Sequence, residues 1–197
     1  MFRLTPDLSA LPDAALLSRY ARGDGGAASE LALRHTPRCF GVAFRMLGDR
    51  AEAEDAAQEA LIRLWRIAPD WRADEAQVST WLYRVVTNLC TDTLRRRRRH
   101  GGSLDDAPEP VDPAPAAAEG LQEAARADAL QAALNGLPDR QRQAVILRHI
   151  EELSNPDIAE AMDITVEAVE SLVARGKRAL AEALAGRRAE LGYSDDT

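Results

Sequence analysis

Residues 155–180 read NPDIAEAMDITVEAVESLVARGKRAL. Ser154 or Asn155 stands as an N-cap before a short helix through Ile158, Ala159 and Met162. After Asp163 and Ile164 a second helix runs from Thr165 to about Ala185. Two helices joined by so tight a turn make a helix-turn-helix. Ile158, Met162, Ile164, Val169, Val173 and Leu180 form the apolar set that holds the pair together, which leaves the other face of the second helix free for a DNA groove.

Working back along the chain, Pro138 to Ile150 and Leu121 to Leu134 read as two more helices, the former with proline at a tolerated first-turn position. Gly101 to Gly120 differs in kind. It holds Pro108, Pro110, Pro113 and Pro115 among alanines and acids. Proline removes backbone donors and like charges repel, so this stretch is expected to be a flexible, extended linker. Before it the apolar spacing is again helical: Asp13 to Arg22, Ala27 to Leu47, a helix through Glu54 to Ile67, and a long one from Val78. Gly23 and Gly48 mark two stops. Asp49 stands three residues before Glu52, an acidic version of the capping box, and opens the third helix. Val78, Leu82, Val85, Val86 and Leu89 give the fourth its apolar stripe, and Trp81 on that stripe reads as core rather than as a wedge into DNA. The fold expected is all-α: two small helical domains, 1–100 and 121–185, joined by the linker 101–120, with a tail at 186–197.

The composition is that of a globular chain, with 46% hydrophobic and 29% charged residues. No apolar run is long enough to span a bilayer, and Met1 to Ala10 does not read as a leader, so a cytoplasmic protein is expected. Cys39 and Cys90 read as buried thiols, and His35, His100 and His149 are scattered, so no metal site and no cofactor is expected. Glycine-rich phosphate loops and nucleophile–base pairs are also missing, which argues against an enzyme. The net charge of -7 is unevenly spread: residues 1–100 hold 16 Lys+Arg against 13 Asp+Glu, whereas 121–197 hold 9 against 14. Local clustering governs phosphate binding more than the total does.

The sharpest cluster is Arg95, Arg96, Arg97, Arg98 and Arg99, which ends the long helix of the first module. Cations at a helix C-terminus stabilise its dipole, but five in a row exceed what capping needs. Guanidinium groups so placed reach several phosphates and release counterions.

Residues 24–66 and 78–99, with the cores AEAEDAAQEALIRLWR and VSTWLYRVVTNLCTDTLRRRRR, resemble domain 2 of the extracytoplasmic-function group of the sigma-70 family. The second module, LPDRQRQAVILRHIEELSNPDIAEAMDITVEAVESLVARGKRAL, resembles that group's domain 4, in the expected order and spacing. The resemblance implies a promoter-reading subunit with core RNA polymerase, promoter DNA and an anti-sigma factor as partners. It places Asp55, Gln58 and Glu59 on the clamp of the polymerase largest subunit; the three share one polar stripe opposite Leu61 and Leu64, suited to cations on a partner helix. It assigns the minus-ten element to Arg84, Asn88, Asp92 and the arginine run, and a base flipped from the non-template strand to the loop Asp70 to Gln77, with Trp71 as a stacking platform. It sets the minus-thirty-five element against Thr165, Glu167, Ala168, Ser171, Arg175, Lys177 and Arg178, with Arg140 and Arg142 clasping phosphates.

The sequence departs from the group's pattern at Ala168-Val169-Glu170-Ser171-Leu172, where an acid and an aliphatic replace two cations. Glutamate repels phosphate but accepts from cytosine N4 in the major groove. Two other readings therefore stay open. A sigma mimic would titrate an anti-sigma protein without reading DNA, and Glu170 and Leu172 suit it. A stand-alone helix-turn-helix repressor would account for 121–185 but not for the arginine-ended module.

Overall fold

A computed structural model of the chain describes residues 7–72, 77–99 and 118–185, and every regular element among them is helical. After a 3₁₀ turn at Leu8–Ala10 come α1 (Asp13–Ala21), α2 (Gly25–Leu47) and α3 (Arg50–Ile67), then a second 3₁₀ turn, Ala68–Asp70, and α4 (Val78–Arg99). The second group is α5 (Ala118–Asn135), α6 (Asp139–His149), α7 (Asn155–Met162) and α8 (Val166–Ala185). Of the expected linker, 101–117 lie outside the described residues, as does the expected tail, 186–197.

Helix α2 is the spine of the first group. Its Leu31, His35, Cys39, Val42 and Met46 recur at three-and-four spacing and are all buried. The helix starts two residues before the expected Ala27, because Asp24 Oδ1 accepts from the backbone N–H groups of Gly26 (3.1 Å) and Ala27 (3.3 Å). Pro37 sits on the exposed side of α2, where its missing N–H deprives the carbonyl four residues earlier of its usual helical donor. Gly48, at φ +68°, ends the helix in the left-handed region, and Asp49 then caps α3 by accepting from Glu52 N–H at 2.8 Å. Ala53, Ala56, Ala57 and Ala60 are buried on one face of α3 and admit a close approach to α2. Trp81 lies against this core, as its place on the apolar stripe suggests.

In the second group Ser154 caps α7, Asp163 turns the chain at φ +53°, and Thr165 Oγ1 accepts from Ala168 N–H at 3.3 Å. Ile158 and Val169, both fully buried, join α7 to α8. Helix α5 begins at Ala118, three residues before the expected Leu121, since alanine and glutamate extend a helix readily. Gly176 on α8 lies where α6 crosses: a Cβ there would meet Val145 Cγ2 at 2.5 Å and the Gln141 carbonyl at 3.3 Å. Gly176→Ala is therefore expected to lower stability despite alanine's better helix propensity. Overpacking of about 1–3 kcal/mol outweighs a propensity gain of about 1 kcal/mol, and urea unfolding checks it.

The two groups touch. Helix α4 lies against α7, and α2 against α5 and α6, so the buried residues of both form one continuous cluster.

Candidate nucleic-acid and partner interfaces

On α4 the periodicity that buries Val78, Leu82, Val86 and Cys90 turns Arg84, Asn88 and Asp92 outward, and all three are exposed. The arginines that follow do not behave alike. Arg95, Arg96, Arg98 and Arg99 are exposed, with Arg95 loosely paired to Asp92 at 3.8 Å and Arg96 donating to Thr93 Oγ1 at 2.9 Å. Arg97 turns inward. It donates to both carboxylate oxygens of Glu52, at 3.2 and 2.7 Å, and to the Leu47 carbonyl at 3.0 Å, clamping the end of α4 to the α2–α3 corner. Arg98 crosses to the second group and pairs with Asp139.

Trp71, the expected stacking platform, is half-buried and meets Trp81 edge-on, with ring centroids 6.0 Å apart. Its indole N–H is buried without an acceptor among the described residues. Of the expected base-holding loop, residues 73–76 lie outside the described residues.

The polar stripe of α3 is in place: Asp55 and Gln58 are exposed and Glu59 is partly so. The Arg63 guanidinium, 2.8 Å from Glu59, holds that carboxyl below its ordinary range. Asp55 and Glu59 line one wall of an open groove of about 580 Å³ whose other wall is Leu89, Thr93 and Arg96 of α4.

Thr165, just before α8, is exposed, as are Glu167, Glu170, Ser171, Arg175, Lys177 and Arg178 along the helix, and Ala168 is partly so. The first turn of this face is acidic and the third basic. Leu172, where the sequence departs from pattern, is half-buried and packs on the core, so an aliphatic there is used by the fold. Arg140 is exposed and donates to the Met162 carbonyl at 3.3 Å, capping the end of α7. Arg142 is not on the surface that the sequence reading gave it. It is 6% exposed, and its guanidinium donates to carbonyls of Met46, Asn135 (2.7 Å) and Leu137 (3.2 Å), where no phosphate reaches it in this conformation.

Sequence reasoning missed the residues that join the two groups. Tyr83 Oη donates to Glu151 Oε2 at 2.6 Å, and Gln131 Nε2 to the Arg45 carbonyl at 3.2 Å. Neither carries a motif, because periodicity within one helix says nothing about a partner far along the chain. His35, read as incidental, is buried with Nε2 2.7 Å from Asp13 Oδ2, and that contact, with Arg34 beside it, holds the Asp13 carboxyl below its usual range. Cys39 and Cys90 are buried as expected, and burial pushes both thiols up to about 12, which keeps them protonated and inert.

A helix-turn-helix and an arginine-ended helix, in two helix groups that pack on one another, define a two-module helical protein of the nucleic-acid-binding class. Residues 31–100 match the family model of Sigma-70 region 2, and 127–180 that of Sigma-70, region 4. The chain is 34% identical over 181 residues to the RNA polymerase sigma-H factor of Pseudomonas aeruginosa, covering 87% of this chain and 93% of that protein. It is 35% identical over 169 residues to the ECF RNA polymerase sigma factor SigE of Mycolicibacterium smegmatis, covering 84% of this chain and 64% of that one. In fold it resembles the sigma factor RpoE of Bartonella quintana, solved with the anti-sigma factor NepR, at a TM-score of 0.64 and 24% identity over 80% of this chain and 96% of that one. The chain belongs to the extracytoplasmic-function RNA polymerase sigma factors of the sigma-70 family. It is a transcription initiation factor and not an enzyme. No described helix is long and apolar enough to cross a membrane.

Proposed function

We propose that the chain works in the cytoplasm as the promoter-specificity subunit of core RNA polymerase, through three surfaces. Domain 2, residues 1–100, docks on the polymerase clamp through Asp55, Gln58 and Glu59. It reads and melts the minus-ten element with Arg84, Asn88, Asp92 and the exposed arginines of the 95–99 run. Domain 4, residues 121–185, reads the minus-thirty-five element with α8, where Glu170 at the outer face favours a base that offers an amino group, such as cytosine. The linker 101–120 tethers the two, so that polymerase converts two weak contacts into one specific one. An anti-sigma factor, the kind of partner with which RpoE of Bartonella quintana was solved, would cover these surfaces between stimuli.

The observation that carries this reading is the segregation of charge on α4 and α8: apolar faces turned into the shared core, with Arg95, Arg96, Arg98 and Arg99 of α4 and Arg175, Lys177 and Arg178 of α8 left outside. It is tested by adding the purified chain to bacterial core polymerase and selecting promoters from a random library. Initiation that requires the chain, at promoters sharing two spaced elements, is the expected result. Core binding with no selected promoter would replace this reading with a sigma mimic, which Glu170 on the reading face favours. Tight duplex binding without core would replace it with a free-standing repressor.

A further inference from the structure

We propose that His149, set between Arg148 and Lys177 where α6 meets α8, is a proton-gated ligand for a backbone phosphate of duplex DNA, so that the second module holds DNA more tightly as the pH falls. The inference rests on the reading that α8 lies in a DNA groove, and it adds a residue that reading does not use. The position follows from the helix crossing. Val145 of α6 abuts Gly176 of α8, where a Cβ would stand 2.5 Å from Val145 Cγ2. One turn beyond Val145 on the same face of α6 comes His149, and the residue after Gly176 on α8 is Lys177. On α8, Glu167, Glu170, Ala174 and Arg178 recur at three-and-four spacing as a stripe of exposed residues. Lys177 follows Glu170 by seven residues, so it stands at the edge of that stripe, and it is close enough to α6 to act on His149. A helix lying in the major groove meets phosphates at its flanks, because the two strands border the groove.

Arg148, His149 and Lys177 are all exposed, and none of the three forms an ion pair among the described residues. Arg148 donates to the Leu153 carbonyl at 2.8 Å, which closes the loop after α6. Glu151 and Glu152 follow His149 in the chain, but Glu151 accepts from Tyr83 at 2.6 Å, and the charges that act on His149 are both cations. Partial burial of the ring, with Lys177 and Arg148 beside it, holds His149 below its ordinary range. Basic groups gathered without an acid disfavour one another's charge, and a phosphate placed among them reverses the effect. It favours the imidazolium, which then donates to the phosphate oxygen as a charged group. Binding therefore tightens as the pH falls through the value His149 has beside phosphate, and the gain is complete below the value it has in the free chain.

The test uses the full chain and a labelled duplex of about two helical turns at low salt, where phosphate contacts require no particular sequence. NMR follows the imidazole signals, with that of His149 assigned by its loss in His149→Gln. Fluorescence anisotropy follows affinity between about pH 8 and about pH 5.5. His100 follows the arginine run, so the quantity read is the difference between the natural chain and His149→Gln, in which any contribution of His100 cancels. The duplex is expected to raise His149, and on acidification the natural chain should gain about tenfold more affinity than His149→Gln, the effect of a rise of about one pH unit. His149→Arg, charged throughout, should bind tightly at both ends of the range. Lys177 is the only lysine in the sequence, so its protection from acylation by bound duplex, read by peptide mapping, locates the contact without reference to titration. Equal gains in the natural chain and His149→Gln, an unmoved His149 signal with duplex bound, an unprotected Lys177, or no duplex binding at any pH would each overturn the proposal. Inorganic phosphate that raises His149 as far as the duplex does would overturn the assignment to DNA in favour of a small-anion site. Promoter selection with core polymerase, run at one pH, reads none of these quantities, so failure of the proton-gated contact and failure of the sigma-factor reading are told apart.

Discussion

Reversing two charges on α3, Asp55→Arg together with Glu59→Arg, is expected to weaken binding to core RNA polymerase by roughly a hundredfold, since like charges brought together across an interface are strongly disfavoured. The fold should survive. Asp55 is exposed, Glu59 is partly so, and α3 is held by its alanine face with Leu61 and Leu64 rather than by its outer stripe. The one internal cost is local: Glu59 pairs with Arg63 one turn on, and an arginine at 59 faces Arg63 as a like charge instead. Thermal unfolding should therefore shift little, while the affinity for core, read by biolayer interferometry, falls. Asp55→Asn with Glu59→Gln separates charge from shape, and an intermediate loss is expected there. Unchanged binding in the reversed variant would move the polymerase-docking surface off α3.

How much of this was legible in the sequence depends on the range of the contact. The α2–α3 corner was legible because its causes are local: Gly48 adopts the left-handed conformation that a stop requires, and Asp49 reaches the Glu52 N–H at 2.8 Å. The start of α2 was misjudged by two residues, because two glycines hid a helix that Asp24 caps. The helix-turn-helix was legible from Ile158, Met162 and Val169, whose spacing fixes which faces meet. Arg142 was not. At the start of a helix an arginine reads as a surface cation, and only the arrival of α2, whose end comes almost a hundred residues earlier in the chain, turns its surroundings into a pocket of carbonyls. The same blindness applied to Arg97, which sequence ranks with its four neighbours and the fold sets apart.

That difference within the arginine run gives the second large effect. Arg95→Ala with Arg96→Ala and Arg99→Ala is expected to cut promoter-specific initiation by roughly a hundredfold, because three cations presented to phosphate are removed together, and to reduce the dependence of log affinity on log salt by about two to three units. Stability should hardly move, since the three side chains are exposed and their contacts are those of surface groups. Arg97→Ala should do the reverse. It leaves Glu52 and the Leu47 carbonyl without their donor, and for a partly exposed clamp of this kind the loss is about 1 kcal/mol, visible as a lower melting temperature. Its salt slope should stay near that of the natural chain, because a guanidinium held by Glu52 has few counterions to displace from DNA. The comparison turns on which measurement each variant moves. If Arg97→Ala changed the salt slope as strongly per residue as the triple variant, the clamp to Glu52 would have to open on DNA, and the run would act as one undivided phosphate-binding surface.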